Sequence, residues 1–299
     1  MKNLIILENE ILYVEINPIL GGSIKNFFIK NKNLKIPVFR ETTNKIRKKD
    51  DVLLNSFFSL IPFSGRIGNA LLKFKSKTYN LKKNFKGELS ALHGDGWQNP
   101  WIVKNLEKNC VIMKLSAKNK NWPFKYSGHL IIKINNNELK ISLEIKNLDI
   151  KSMPCGLGFH PWFDMTANAS LQMNAKKFWI VGKNNLFKKI SNLNKNIDFS
   201  SGKKLINTNL VNGFSEWNGF ATIVWPEKKL SLNIESSKNL KHLIVYTPYN
   251  ENFFCIEPVS HSVDAFNLYA KGVKGTGTKI LQPNKIFKVV TSFKPKITN

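Results

Sequence analysis

Hydrophobic and polar residues alternate along much of this chain. Within residues 139–146 every second position is Leu or Ile, and the positions between them are Lys, Ser or Glu. This period of two is typical of a strand with one buried face. Residues 129–134 form a second apolar run, and the Asn-rich segment 135–137 separates the two. The pattern therefore predicts a β-hairpin over residues 129–146.

Further strands are predicted wherever a short apolar run is bounded by turn residues. These runs are 11–16, 23–29, 110–115, 221–225, 230–234, 242–247 and 286–293. Only residues 45–60 and 263–271 favour short helices, which is too few to cover the crossovers of a parallel sheet. We therefore predict an all-β fold of antiparallel sheets packed face to face. Since no linker, repeat or low-complexity tract divides the chain, we expect one domain over residues 1–299.

Composition narrows the class of protein. Hydrophobic residues make up 42% of the chain and aromatic residues 11%, which is typical of a folded protein with a full core. The three cysteines are far apart and form no CxxC pair, which fits a reducing compartment. Glu8 and Glu10 interrupt the N-terminal apolar run before a secretion signal can form, and no run approaches the roughly 20 residues of a membrane span. We expect a cytoplasmic protein with no membrane partner.

The formal net charge of +26 raises the question of nucleic-acid binding. Among the 46 basic residues, however, only Arg40, Arg47 and Arg66 are arginines, the residue that base and phosphate recognition favours. The lysines are spread along the chain and often alternate with apolar residues, as on the solvent face of a strand. We expect a solvated basic surface and no nucleic-acid partner.

Two segments place an ionisable side chain among glycine, proline and aromatic residues. Glu257 ends an apolar run in the segment FFCIEPVSHSVDAFN and is followed by proline. A carboxylate in that position is costly unless it is hydrogen-bonded or functional. His160 lies in the segment MPCGLGFHPWF, between a glycine pair and an aromatic run. Carboxylate and imidazole are the usual groups for proton transfer near neutral pH, so the two residues are candidate catalytic groups.

Two further segments contain candidate binding residues. The segment ALHGDGWQNPW combines His93 with Trp97, and aromatic faces suit the apolar faces of a sugar ring. The segment IPFSGRIGNA contains Arg66, whose planar fork can hold two adjacent hydroxyls or a carboxylate. Together the four segments indicate a sugar site.

A metal site is the alternative interpretation of these histidines. His93 and Asp95 with His160 would give three ligands, but no HxH or HExxH spacing is present. Cys155 and Cys255 have uncharged neighbours, so we expect them to pack in the core rather than act as nucleophiles. We expect no metal and no cofactor.

In this order, the four segments resemble the aldose 1-epimerases, or galactose mutarotase family. The bacterial branch of that family shows the patterns PFSNRI, LHGxGWQxPW, GLGxHPxF and FCxEPVSHxPDAFN. The likeness extends from about residue 4 to residue 293. It implies a twisted antiparallel β-supersandwich with an open, cofactor-free cleft in which the α- and β-anomers of a free sugar interconvert. It also implies that Glu257 is the general base and His160 the general acid, while His93 and Arg66 bind substrate.

Two departures from the family pattern bear on sugar binding. Where relatives read LDNxFxGW, residues 210–217 read LVNGFSEW, so Val211 stands in place of an aspartate that binds sugar hydroxyls. Asn212 is the nearest polar residue and becomes a candidate binding residue. Gly65 replaces the usual asparagine before Arg66. These changes spare the proton-transfer pair, and they put the substrate preference in question.

Three other functions stay open at this point. One is an epimerase of hexose phosphates, which would need more cationic contacts than a neutral sugar does. Another is a non-catalytic sugar-binding protein on the same fold. A glycoside hydrolase would need a second carboxylate beside Glu257, for which Asp95 and Asp264 are candidates, although Asp264 fits better as support for a turn or helix start. We expect a small-molecule sugar as partner and a monomer or homodimer.

Overall fold

The computed structural model describes residues 4–42, 51–116 and 121–298. In this part of the chain most elements are strands. The strands of the first half are β1 (Ile5–Glu8), β2 (Leu12–Asn17), β3 (Ser23–Asn31), β4 (Leu34–Pro37), β5 (Phe57–Leu60), β6 (Arg66–Ile67), β7 (Leu71–Phe74), β8 (Lys77–Asn80), β9 (Ala91–Leu92), β10 (Trp101–Glu107), β11 (Cys110–Leu115), β12 (Tyr126–Asn135) and β13 (Glu138–Asn147). The strands of the second half are β14 (Met153–Cys155), β15 (Gly158–Asp164), β16 (Ser170–Met173), β17 (Lys177–Val181), β18 (Phe187–Asn192), β19 (Lys203–Lys204), β20 (Val211–Ser215), β21 (Phe220–Trp225), β22 (Leu230–Ser236), β23 (His242–Tyr246), β24 (Phe253–Val259), β25 (Lys279–Leu281) and β26 (Ile286–Ile297).

Two large antiparallel sheets contain most of these strands. The 11-stranded sheet has the order β1-β2-β3-β5-β15-β24-β23-β20-β17-β18, with β4 paired to β3. The 9-stranded sheet has the order β10-β11-β12-β13-β26-β22-β21-β16-β19. Three two-stranded ribbons, β6-β9, β7-β8 and β14-β25, complete the fold. The predicted all-β antiparallel architecture is confirmed.

The core lies between the two large sheets. In β13, Leu139, Ile141, Leu143 and Ile145 are fully buried, and the residues between them are partly or fully exposed. They belong to one cluster with the inward-facing residues of the 11-stranded sheet. Fully burying such a side chain stabilises the fold by about 1.5–3 kcal/mol. The alternation read from the sequence thus marks the face of the 9-stranded sheet that packs on the core.

The predicted hairpin over residues 129–146 is confirmed, since β12 pairs with β13 in continuous register. The predicted helix at 263–271 is present as α1 (Ala265–Ala270). The predicted helix at 45–60 is wrong over Phe57–Leu60, which form a strand that pairs with β3 and β15 and is buried throughout. In the described part of this range only the single 3-10 turn Val52–Leu54 is helical, and residues 45–50 lie outside the described residues. Within the described ranges, no helix is long and apolar enough to cross a membrane.

Candidate active site

A cavity of about 230 Å³ lies on the face of the 11-stranded sheet that is turned away from the core. Four neighbouring strands, β15, β24, β23 and β20, supply its floor and one wall. Successive side chains of each strand point to opposite faces of the sheet, one toward the core and one toward the cavity. Phe163, Phe254 and Val245 belong to the core cluster, whereas His160, Glu257 and Tyr246 line the cavity, together with Arg66 and His93 from outside the sheet.

His160 and Glu257 lie directly opposite each other on adjacent strands. Gly158 pairs with Val259 and Trp162 pairs with Cys255, so the register between β15 and β24 is the same on both sides of the two residues. Opposite residues on one face of a sheet have their Cβ atoms about 4.5–5.5 Å apart. The result is a distance of 3.4 Å between Nε2 of His160 and Oε1 of Glu257.

Two prolines flank this pair. Pro161 follows His160 and Pro258 follows Glu257, and both fall where the ladder between β15 and β24 is interrupted. Proline has no N–H to donate, so a ladder cannot be continuous at such positions. The ladder between β15 and β24 is therefore broken beside the pair, and the residues paired on either side of the break keep the register.

Burial displaces the pKa values of both groups in opposite directions. His160 is 7% exposed and Glu257 5%. Burial raises the pKa of Glu257 to about 8, and the charge of Arg66 opposes this rise. Burial also lowers the pKa of His160 to about 3, and the charge of Arg40 adds to the lowering. Both groups are thus held in their uncharged forms at neutral pH, with one proton between them.

Aromatic side chains fix the orientation of the His160 ring. The ring of Phe58 lies 4.6 Å from it, and the indole of Trp162 stacks on it at 5.3 Å with an angle of 19°. Behind Trp162, the guanidinium of Arg40 lies 4.2 Å from the indole centroid and donates hydrogen bonds to two backbone carbonyl oxygens, of Leu53 and Asn55. The sequence did not identify Arg40 as a residue near the site, because a sequence does not show which aromatic ring an arginine side chain covers.

The ribbon β6-β9 brings the predicted binding residues to the cavity. Arg66 pairs with Leu92, so the next residue, His93, lies at the same end of the ribbon. The backbone N–H of Gly65 donates to Nδ1 of His93 at 3.1 Å. Burial keeps the pKa of His93 well below its ordinary value. The neutral ring therefore carries its proton on Nε2, where it can donate to an oxygen of a ligand.

Arg66 is held by a carboxylate that sequence reasoning missed. Its Nε donates to Oε2 of Glu88 at 2.9 Å, and the Glu88 side chain is 15% exposed. This contact fixes the guanidinium by one edge and leaves its terminal nitrogens for other partners. Gly65, next to Arg66, has a φ of +64°, and a Cβ there would lie 2.9 Å from Cγ2 of Val263. The glycine that replaces the family asparagine therefore leaves the space that the Val263 side chain occupies.

Two predicted binding residues do not line the cavity. Trp97 is 1% exposed; it packs under Phe58 and His93 and donates its indole N–H to the carbonyl of Leu92. Asn212 pairs with the core residue Val245, so strand alternation places it on the opposite face from Val211. We correct both predictions: Trp97 supports His93, and Asn212 does not take the place of the missing aspartate.

The other carboxylates considered from the sequence serve the fold. Asp95 accepts hydrogen bonds from the Tyr126 hydroxyl and the backbone N–H of Asn121. Asp264 precedes α1 and accepts from the backbone N–H of Gly68, which agrees with its predicted role beside a helix start. In the described part of the chain, Glu257 is the only carboxylate that lines the cavity. A hydrolase with two carboxylates is therefore not supported.

One set of side chains in the described ranges has the spacing of a metal site. Ligand atoms of His160, Cys255 and Glu257 lie within 4.8 Å of one another. Burial raises the pKa of the Cys255 thiol well above its ordinary value, and the charge of Glu257 adds to the rise. The thiolate that a metal requires is thus disfavoured. His93 and Asp95 are not part of this set, so the metal site considered from the sequence does not form.

Comparison with known proteins decides the family. A sequence profile of the family described as aldose 1-epimerase matches residues 4–294. This chain belongs to the aldose 1-epimerase family. It is therefore an enzyme of the isomerase class, as the resemblance predicted.

Individual related proteins and solved structures also match most of the chain. The uncharacterized protein YphB of Escherichia coli K12 is 26% identical over 257 residues, which is 82% of this chain and 83% of that protein. The crystal structure of a putative aldose 1-epimerase from Escherichia coli K12 superposes with a TM-score of 0.86 at 21% identity, covering 99% of both chains. A galactose mutarotase-like protein from Clostridium acetobutylicum gives a TM-score of 0.81 at 20% identity, covering 100% of both chains. The predicted galactose mutarotase-like fold is confirmed.

Proposed function

We propose that this aldose 1-epimerase interconverts the α- and β-anomers of a free sugar, with Glu257 as general base and His160 as general acid. The observation that supports the proposal is the buried cross-strand pair, in which Nε2 of His160 lies 3.4 Å from Oε1 of Glu257. A raised carboxyl pKa and a lowered imidazole pKa leave the pair with one proton at neutral pH. Transfer of that proton from the carboxyl group to the imidazole yields a base and an acid without a proton from solvent.

Ring opening then uses both members of the pair. The Glu257 carboxylate takes the proton of the C1 hydroxyl as the C1–O1 double bond forms. The C1–O5 bond breaks, and the His160 imidazolium donates its proton to O5. Glu257 is now protonated and His160 neutral. After rotation about C1–C2, the O5 hydroxyl attacks the other face of the aldehyde, His160 takes the O5 proton, and Glu257 returns a proton to O1.

Arg66 and His93 suit the binding of the sugar oxygens. Arg66 is anchored by Glu88 through Nε and keeps its terminal nitrogens for hydroxyl groups. His93 offers Nε2–H because its Nδ1 accepts from the backbone N–H of Gly65. Neither residue takes part in the proton transfer, and both hold the ring so that O1 and O5 meet the catalytic pair.

The hexose-phosphate alternative has less support. In the described part of the chain, Arg66 is the only lysine or arginine that lines the cavity, and the carboxylate of Glu88 already balances its charge. A phosphate group would bring about two negative charges to this site. A non-catalytic sugar-binding protein, in turn, has no need for two opposed ionisable groups buried against each other.

Replacement of Glu257 by Gln tests the proposal. The amide has nearly the same shape but cannot take the C1 hydroxyl proton, so we expect anomer exchange to fall by about 10²- to 10⁴-fold. Exchange is measured by NMR magnetisation transfer between the anomers of unmodified sugars, after subtraction of the uncatalysed rate. Glu235→Gln, which removes a partly exposed carboxylate on β22, is the matched control. Near-normal exchange in the Glu257 variant would exclude this residue as the base.

A further inference from the structure

The wall of the cavity on the β20 side is apolar. Val211 pairs with Tyr246, and Gly213, two residues further along the same face, pairs with Ile244. Val211 and Ile244 both line the cavity, and Phe187 lies beside them. Where the family pattern carries an aspartate that binds hydroxyls, this chain therefore presents a hydrocarbon surface.

The backbone of β20 shapes this wall. A Cβ added at Gly213 would lie 2.3 Å from Cε2 of Phe187 and 3.2 Å from Cδ1 of Ile244. The absence of a side chain at residue 213 thus allows the Phe187 ring to pack against the strand. Phe187 also stacks on the fully buried Trp179, with the ring centroids 6.0 Å apart. The wall is consequently a packed element that cannot turn a polar group toward the cavity by a simple rotamer change.

The ionisable residues that line the cavity are Arg66, His93, His160 and Glu257. Of these, Glu257 is the cross-strand neighbour of Ile244, and none lies on β20. Beside Val211, the described residues offer the Tyr246 hydroxyl and, from an exposed turn, the side chain of Asn185. Asn212 faces the other side of the sheet. The side chains of Val211, Ile244 and Phe187 offer no hydrogen bond to a sugar hydroxyl, so a hydroxyl placed against them loses water and depends on Tyr246 or Asn185 for a replacement.

We propose that the natural substrate is a deoxy sugar, which places a methyl or methylene group against Val211, Ile244 and Phe187 where a common hexose has a hydroxyl. The inference rests on the proposed anomer exchange and adds the class of sugar. A carbon without its hydroxyl gains from contact with this wall, whereas a hydroxyl there is pressed against side chains that cannot form a hydrogen bond with it. A hydrophobic pocket discriminates against an added hydroxyl by about 100-fold, so we expect a preference of about 10- to 100-fold in kcat/KM.

The test compares each parent sugar with its own deoxy analogues. Glucose and galactose are measured beside their 2-deoxy, 3-deoxy, 4-deoxy and 6-deoxy forms by NMR exchange. We expect at least one deoxy form to exceed its parent by about tenfold or more in kcat/KM. Parents that equal or exceed all of their deoxy forms would overturn the inference.

Substitutions at residue 211 locate the preference. Val211→Asp and the nearly isosteric Val211→Thr restore a hydrogen-bonding group, so the ratio of kcat/KM for the deoxy sugar to that for its parent should fall by about tenfold or more. Val103→Asp is the matched control, because Val103 lies on β10 of the other sheet and is 38% exposed. A ratio unchanged in both Val211 variants would show that this wall does not select the substrate.

A binding measurement separates this inference from the proposed reaction. Methyl glycosides cannot open their rings, so their affinities, measured by calorimetry or ligand-observed NMR, report the cavity alone. If the deoxy methyl glycoside binds more tightly than its parent but the free sugars show no catalysed anomer exchange, the proposed reaction is refuted and the class of sugar is supported. Exchange of anomers with tighter binding of the parent glycosides would support the reaction and overturn the class of sugar.

Discussion

At His160, the contacts that hold the ring also remove its charge. Phe58 and Trp162 enclose the imidazole, and this burial is the main reason why its pKa falls to about 3. At neutral pH the His160 ring therefore does not take up a proton from solvent. In the proposed mechanism His160 therefore acts as an acid with a proton held nearby, and that proton comes from the Glu257 carboxyl, whose pKa is raised to about 8.

Replacement of His160 by Asn should affect the chemical step more than sugar binding. Asn cannot deliver a proton to O5, and that transfer matters most in the transition state. We expect kcat to fall by about 10²- to 10⁴-fold with little change in KM, as measured by exchange rates over a range of sugar concentrations. His129→Asn is the control, since His129 lies on β12 in the other sheet and is 35% exposed. A rise in KM alone would instead make His160 a binding residue.

The residues predicted from the sequence differ in how far their roles were visible there. Glu257 and His160 stand out because each is an ionisable residue in an apolar, proline-marked segment. Trp97 and Asn212 were chosen by residue type, and the structure places neither in the cavity. The direction of a side chain depends on strand register, which a single sequence does not show. Glu88 and Arg40 were missed for the same reason, as their partners are distant in the chain.

At the level of the elements, a strand could be predicted from the sequence where one of its faces is exposed to solvent. In β13, alternating burial gave a clear pattern, and the β12–β13 hairpin follows from it. In β5 every residue is buried, and in β15 six of the seven are. Strands covered on both faces lose the alternation of apolar and polar residues. These two strands lie near the centre of the sheet that carries the candidate site, so the alternation that predicted β13 is missing there.

The cross-strand pair predicts a pH dependence. With the Glu257 pKa raised to about 8 and the His160 pKa lowered to about 3, the pair carries one proton over the neutral range. Above pH about 8 that proton is lost, and no acid is left for O5. We therefore expect kcat/KM to be nearly constant from about pH 5 to pH 7 and to fall about tenfold per pH unit above about pH 8.

The uncatalysed exchange also varies with pH, so it is measured at each pH without enzyme and subtracted. Glu257→Gln lacks the titrating carboxyl, so its residual rate should not show the fall above pH 8. A kcat/KM that rises between pH 6 and pH 8 would contradict the prediction, because it would show that the active pair carries no proton.

For the whole molecule, the net charge of +26 does not reflect the charge of the cavity. The cations that shift the pKa values of His93, His160 and Glu257 are Arg40 and Arg66. The described lysines lie on strand faces and loops away from the cavity. The basic surface is consequently not directed at the sugar, although it attracts any anion that approaches the protein.

This distribution of charge predicts how salt affects the reaction. A neutral sugar is not steered by the surface charge, whereas a sugar phosphate is, and the Debye length shrinks from about 10 Å at 0.1 M salt to about 3 Å at 1 M. We expect kcat/KM for neutral sugars to be unchanged within about twofold between about 0.02 and 0.5 M sodium chloride, a range over which surface charges become screened. We also expect it to exceed the value for the corresponding 6-phosphates at every salt concentration. A higher kcat/KM for a 6-phosphate that declines steeply with salt would favour the hexose-phosphate alternative, because the surface charge would then contribute to substrate capture.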